Sequence, residues 1–159
     1  MLKVFFSCAV LSALAACSEQ PAQSAAASPE TYFDMKIGGV PFRAQLAVSD
    51  AEKMRGLMFR ESLGENDAMI FVYAAPQRAS FWMKNTLIPL DIGFVDAAGT
   101  LTEIKKLYPQ NLDSVRSSRS DIFYCIEANA GWFAKNRVGV SSKLDISKLE
   151  KALKARGVK

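Results

Sequence analysis

The sequence contains no histidine. A serine or cysteine nucleophile therefore has no imidazole to activate it, and a metal site lacks its commonest nitrogen ligand. Any acid–base chemistry has to come from carboxylates. Cysteine is nearly as scarce: Cys8, Cys17 and Cys125 are scattered and form no ligand cluster for zinc or iron. No glycine-rich loop of the kind that cradles phosphates is present, and no internal repeat. Charge of one sign is also weak, with 20 basic against 16 acidic side chains and a net of +4. That balance allows contact with anionic headgroups or wall polymers. It does not argue for nucleic acid, since no basic stripe with interleaved aromatics accompanies it. No cofactor and no nucleic-acid partner are expected.

What is present begins at the N-terminus. "MLKVFFSCAVLSALAAC" carries one positive charge at Lys3, then an apolar stretch, then small residues ending in Cys17. This is the pattern of a secretory signal, with an apolar core too short to span a bilayer as a permanent helix. Its end, "LAAC", resembles the lipobox of bacterial lipoproteins. The resemblance implies cleavage before Cys17 and acylation of that cysteine, where two or more chains give stable anchoring. The competing reading is an ordinary cleaved signal with a chance cysteine. Ser18, in place of Asp, implies the outer membrane in the enterobacterial sorting pattern. The expected organisation is a signal over residues 1–16, a lipid-anchored tether over 17–31 and one β-rich domain over 32–159. The expected location is the periplasmic side of the cell envelope. "SEQPAQSAAASPET" holds too few large apolar groups to order itself, which is why it reads as tether. After processing only Cys125 is a free thiol. It sits in an apolar run and reads as a buried structural group, a reactive nucleophile being the lesser option.

The domain reads as many short strands and few helices, which favours a sandwich or barrel. "YFDMKIGG" and "PFRAQLAV" flank a Gly38-Gly39 turn. Ser49 and Glu52 form a capping box opening a short helix through "SDAEKMRGLM". "AMIFVY" is a strand, Ala74 to Gln77 turn the chain, and "ASFWM" is a further strand. Ile88, Leu90, Ile92 and Phe94 then alternate with smaller or polar residues, predicting a strand with one core face. "TLTEIKKL" returns beside it. Leu101 and Ile104 differ in parity, which predicts a bulge or a strand end. Residues 108–120 read as a polar loop. "DIFYCIEAN" is apolar on both faces except Glu127, as expected of a central strand. "AGWFAKN" suggests a helical turn capped by Asn129, and "VGVSSKLDI" a weak strand. A capping box at Ser147 and Glu150 opens a last helix.

Three stretches, "GLMFRESLGENDAMIFVY", "FWMKNTLIPLDIGFVDAAGTLTEI" and "IEANAGWF", occur in this order. Together they resemble the bacterial and archaeal family called domain of unknown function 192, over roughly residues 33–146. The resemblance implies a mainly β, distorted jelly-roll-like sandwich or barrel with a short helix carrying "MRGLM", and no assigned biochemical role. Ala68 stands where the family usually has glycine, Cys125 replaces an aliphatic residue, and the last helix extends beyond the family core.

The polar triplet Lys84-Asn85-Thr86 sits between two apolar blocks and has two readings. In one it only turns the chain, Asn and Thr bonding nearby backbone groups, while Asp91 pairs with Lys84 or an arginine. In the other it helps build a small-ligand pocket from Trp82, Lys84, Asn85, Thr86 and Glu127, with Arg55 and Arg60 near the covering helix. Arg55 or Lys84 would then partner Glu127 if it is buried. Two further readings stand beside these. Asp91 and Glu127 could act as a carboxylate pair cleaving envelope polysaccharide. Met54, Met58 and Met83 could hold Cu(I), although methionine also simply fills cores. The leading expectation is a lipid-anchored binding or accessory module rather than a catalyst. Its partners would be the membrane through Cys17 and an envelope small molecule, wall polymer or protein.

Overall fold

The computed structural model describes residues 26–158. The signal, Cys17 and the start of the tether lie outside the described residues. The elements in chain order are β1 (Phe33–Ile37), β2 (Val40–Ala47), α1 (Asp50–Arg55), β3 (Asp67–Gln77), β4 (Ser80–Phe81), β5 (Leu90–Asp96), β6 (Leu101–Leu107), β7 (Val115–Arg116), β8 (Ile122–Asn129), α2 (Trp132–Lys135) and α3 (Ile146–Ala155). Six strands form one sheet in the order β1-β2-β3-β8-β5-β6, and β4 pairs with β7 in a second, two-stranded sheet. All pairs are antiparallel except β2 with β3. The mainly β expectation holds. The barrel alternative does not, because the sheet is open, with β1 and β6 at its edges.

The central strands β8 and β5 are buried on both faces over most of their length, and β3 is so from Asp67 to Phe71. Ala68 and Ile70 of β3 and Ile126 and Ala128 of β8 pack under α2 and α3, against Trp132, Phe133, Leu149 and Ala152. Met69 and Phe71 of β3, Cys125 of β8 and Leu90, Ile92 and Phe94 of β5 pack on the other side. There they meet Leu57, Ala79, Phe81 and Met83. β8 lies between β3 and β5, the central place its apolar run predicts. β5 departs from its reading as half-exposed, since every residue from Leu90 to Val95 is buried. Its second face is filled by Gly93, over which Phe133 and Leu101 close, and by Asp91, whose Oδ2 accepts from the Gly131 amide at 2.8 Å.

Locally driven features match the sequence. The capping box at Ser49 is complete in both directions, and the helix stops at Gly56 with φ of +46°. The parity clash in β6 is a bulge: Phe94 pairs with Glu103 and Val95 with Leu101. The extra residue, Thr102, donates from Oγ1 to the Phe94 carbonyl.

Five readings need correction. β3 continues through Gln77 with a bulge after Val72 instead of turning at Ala74. In "ASFWM" only Ser80 and Phe81 pair, with β7 inside the expected polar loop. Asn129 does not cap α2; its amide donates to the Gly64 carbonyl at 2.9 Å, and Gly131 takes the cap position. The last helix is capped by Asp145, which accepts from the Lys148 amide, not by Ser147. "VGVSSKLDI" contributes only isolated bridges at Lys143 and Leu144. The chain also touches the domain before Tyr32, since the Ala27 amide donates to the Ala155 carbonyl.

Candidate functional site

Lys84 and Asn85 form a turn, closed by the Thr86 amide donating to the Met83 carbonyl at 3.0 Å. Asn85 sits at φ of +56°, the left-handed region that Asn tolerates better than most residues. Its carbonyl accepts from the Phe59 amide, and the Thr86 carbonyl accepts from the Gln110 amide. The turn therefore ties the segment after α1 to the loop after β6. The Lys84 ammonium lies over the Trp82 ring, 5.3 Å from its centre, and lines neither of the two cavities described below. Replacing Asn85 by alanine is expected to cost about 1–2 kcal/mol, because a Cβ residue without a local hydrogen-bonding side chain resists this φ. Asn85→Gly should be close to native, and urea unfolding of both variants checks this.

Between Thr86 and α1 an open cavity of about 400 Å³ lies against the second core face. Phe71, Tyr73 and Glu127 line it from the sheet, Leu57, Phe81 and Thr86 from the covering segments. Lys53, Met54, Arg55 and Trp82 also line it. The first three of these follow from the helix, and Met54 and Trp82 are among the exposed large apolar side chains. A second cavity of about 350 Å³ shares Arg55, Gly56 and Met58 with the first and reaches Glu30, Gln45, Phe59 and Arg60. There Arg60 is committed: it donates to the Tyr32 hydroxyl at 3.1 Å and to the Gln45 side-chain carbonyl.

Glu127 is the unusual group. It is 4 % exposed. Among the described residues it makes no ion pair or side-chain hydrogen bond, so neither Arg55 nor Lys84 partners it as expected. Burial pushes its carboxyl up to about 8. Burial likewise raises the Tyr73 phenol and the Cys125 thiol beside it, which suits Cys125 as a structural group. Lys53 is matched, 3.2 Å from Asp50, with its ammonium over the Tyr73 ring. Arg55 is exposed and has no ion pair among the described residues.

Asp91 and Glu127 are not brought together. In the β5–β8 register Glu127 lies opposite Ile92 and Asp91 opposite Ala128. Neighbouring strand positions point to opposite faces, so the two carboxyls lie on opposite sides of the sheet. A glycosidase pair must flank one bond, and this geometry overturns that reading. Asp91 serves the start of α2 and, among the described residues, forms no ion pair with Lys84 or an arginine, and its Oδ1 is buried without a hydrogen-bond partner there. The methionines are divided: Met54 and Met58 line the cavity, whereas Met83 is buried in the second core and lines neither cavity. Sequence reasoning missed Tyr73 and Lys53. Tyr73 shares the parity of Met69 and Phe71, a usable signal, but its approach to Glu127 depends on strand order.

Comparison with known proteins agrees with the fold. A protein of unknown function from Novosphingobium aromaticivorans DSM 12444 is 31% identical with a TM-score of 0.69, over 80% of this chain and 99% of that one. A candidate transcription regulator from Sinorhizobium meliloti 1021 is 27% identical with a TM-score of 0.67, over 72% of this chain and 95% of that one. No curated protein matches. The domain of unknown function 192, described as an uncharacterized ACR, matches residues 33–146, and the chain belongs to that family.

Proposed function

We propose that the chain is a binding module that takes a small organic ligand into the cavity beneath α1, held at the envelope by lipid on Cys17. The single observation carrying this reading is Glu127. It is 4 % exposed, makes no ion pair or side-chain hydrogen bond among the described residues, and faces a cavity of ligand size lined by aromatic rings. Aromatic walls with a few polar groups are the ordinary construction of small-molecule sites. The anchor follows from "LAAC" at residues 14–17 and gives the module its place rather than its chemistry.

The test is a thermal-shift screen of the detergent-solubilised full chain with sugars, wall fragments, small acids and amines. A ligand is expected to raise the melting temperature of the native protein and to have no effect on Glu127→Leu, a variant of similar volume. Hits that act equally on both proteins overturn the assignment to this cavity. The anchor is checked by intact mass: Cys17→Ser should lose the acyl mass, and an acylated variant would reject it.

A further inference from the structure

We infer that this cavity selects a small monocarboxylate with an apolar body, its carboxylate held between the Glu127 carboxyl and the Arg55 guanidinium. The inference rests on the binding-module reading and adds the class of ligand. Both groups line one cavity. Their partners are missing in a complementary way: Glu127 has no donor or cation, and Arg55 has no acid among the described residues. A carboxylate satisfies both. It accepts a hydrogen bond from the protonated acid, a short and charge-assisted contact, and it matches the planar fork of a guanidinium.

The charges around Glu127 decide between an acid and an amine. From α1, Asp50, Lys53 and Arg55 face the cavity; Tyr73 faces it from β3, and Cys125 lies beside it on β8. Asp50 and Lys53 cancel as an ion pair. Tyr73 and Cys125 are neutral, since burial raises both. With Glu127 itself protonated at neutral pH, the uncancelled charge among the described lining residues is that of Arg55. An amine would meet a like charge at the mouth, and an oxyanion an opposite one. A phosphate monoester would bring two negative charges to the one cation that, among the described residues, lines the cavity without an ion pair. The remaining lining, Leu57, Phe71, Phe81 and Trp82, calls for an apolar or aromatic body.

The pH dependence has a definite sign. Binding uses the Glu127 proton and an ionised ligand, so affinity is steady between about pH 6 and pH 8 and falls about tenfold per pH unit above that. The experiment is calorimetric titration of the detergent-solubilised full chain with phenylbutyrate, phenylbutylamine and phenylbutyramide between about pH 6 and pH 10. Phenylbutyrate is expected to bind the native protein with that profile. Glu127→Gln should still bind it, through the amide donor, with the alkaline fall abolished. Arg55→Ala, at an exposed position that leaves the core intact, should weaken phenylbutyrate about tenfold or more and leave phenylbutyramide unchanged. Tighter binding of the amine or the amide than of the acid would overturn the ligand class and leave the cavity reading standing. Binding of none of the three, with Trp82 emission unmoved at millimolar ligand, would overturn both.

Discussion

Glu127→Gln is expected to make the protein more stable at neutral pH, by roughly 3 kcal/mol. The sign follows from linkage. An ordinary glutamate titrates at 4.5, and burial moves Glu127 to about 8 in the folded chain. Below 4.5 both folded and unfolded chains hold the proton, and the folded state loses nothing. Between 4.5 and 8 only the folded state holds it, so stability falls by about 1.4 kcal/mol for each pH unit. Above 8 the folded carboxyl ionises in place and the loss levels off. Glutamine has nearly the same shape and no proton to release. Urea unfolding should find the two proteins alike near pH 4.5, the variant ahead at neutral pH and furthest ahead at about pH 8. A variant less stable across the whole range would mean that Glu127 is a satisfied structural group. A residue that weakens the fold at working pH is what a ligand site is expected to contain, because site chemistry and stability pull in opposite directions.

Much of this arrangement can be read locally. The Ser49–Glu52 box lies within four residues, and both halves form. The parity clash of Leu101 and Ile104 is visible in seven residues of β6 and gives the bulge at Thr102. Glu127 stands out as the one charge in an apolar run. What local reading misses depends on distant partners. Asp91 and Glu127 look like a pair until the β5–β8 register is known, and a shift of one residue in that register would reverse which face each occupies. Ser147 and Glu150 satisfy the capping-box pattern, yet the helix begins earlier, at Ile146, whose side chain packs over Gly99. Tertiary packing chose between two legal caps. The cavity itself is invisible in the sequence, because Lys53, Tyr73, Trp82 and Glu127 come from four separate segments.

β5 supplies the second large effect, and its two faces should fail by opposite errors. Phe94→Ala is expected to cost about 3–5 kcal/mol by leaving a void. Phe94 is fully buried; it packs edge-on to Phe81 at 6.1 Å, and Phe81 in turn to Phe71 at 4.9 Å. Phe71 and Phe81 line the cavity, so the void should also weaken any ligand that stabilises the native protein. Gly93→Val should cost about 1–3 kcal/mol by overpacking. A Cβ there would stand 2.8 Å from Leu101 Cδ1 and 2.9 Å from Phe133 Cζ, on the face turned toward α2, away from the cavity. Unfolding measurements should therefore find both variants weakened, while ligand affinity in the folded protein drops only for Phe94→Ala. Gly93→Val with native stability would mean that Phe133 gives way freely and that the second face of β5 is loosely packed. Equal losses of affinity in the two variants would mean that the sheet transmits strain between its faces, and that the cavity is not a property of one side alone.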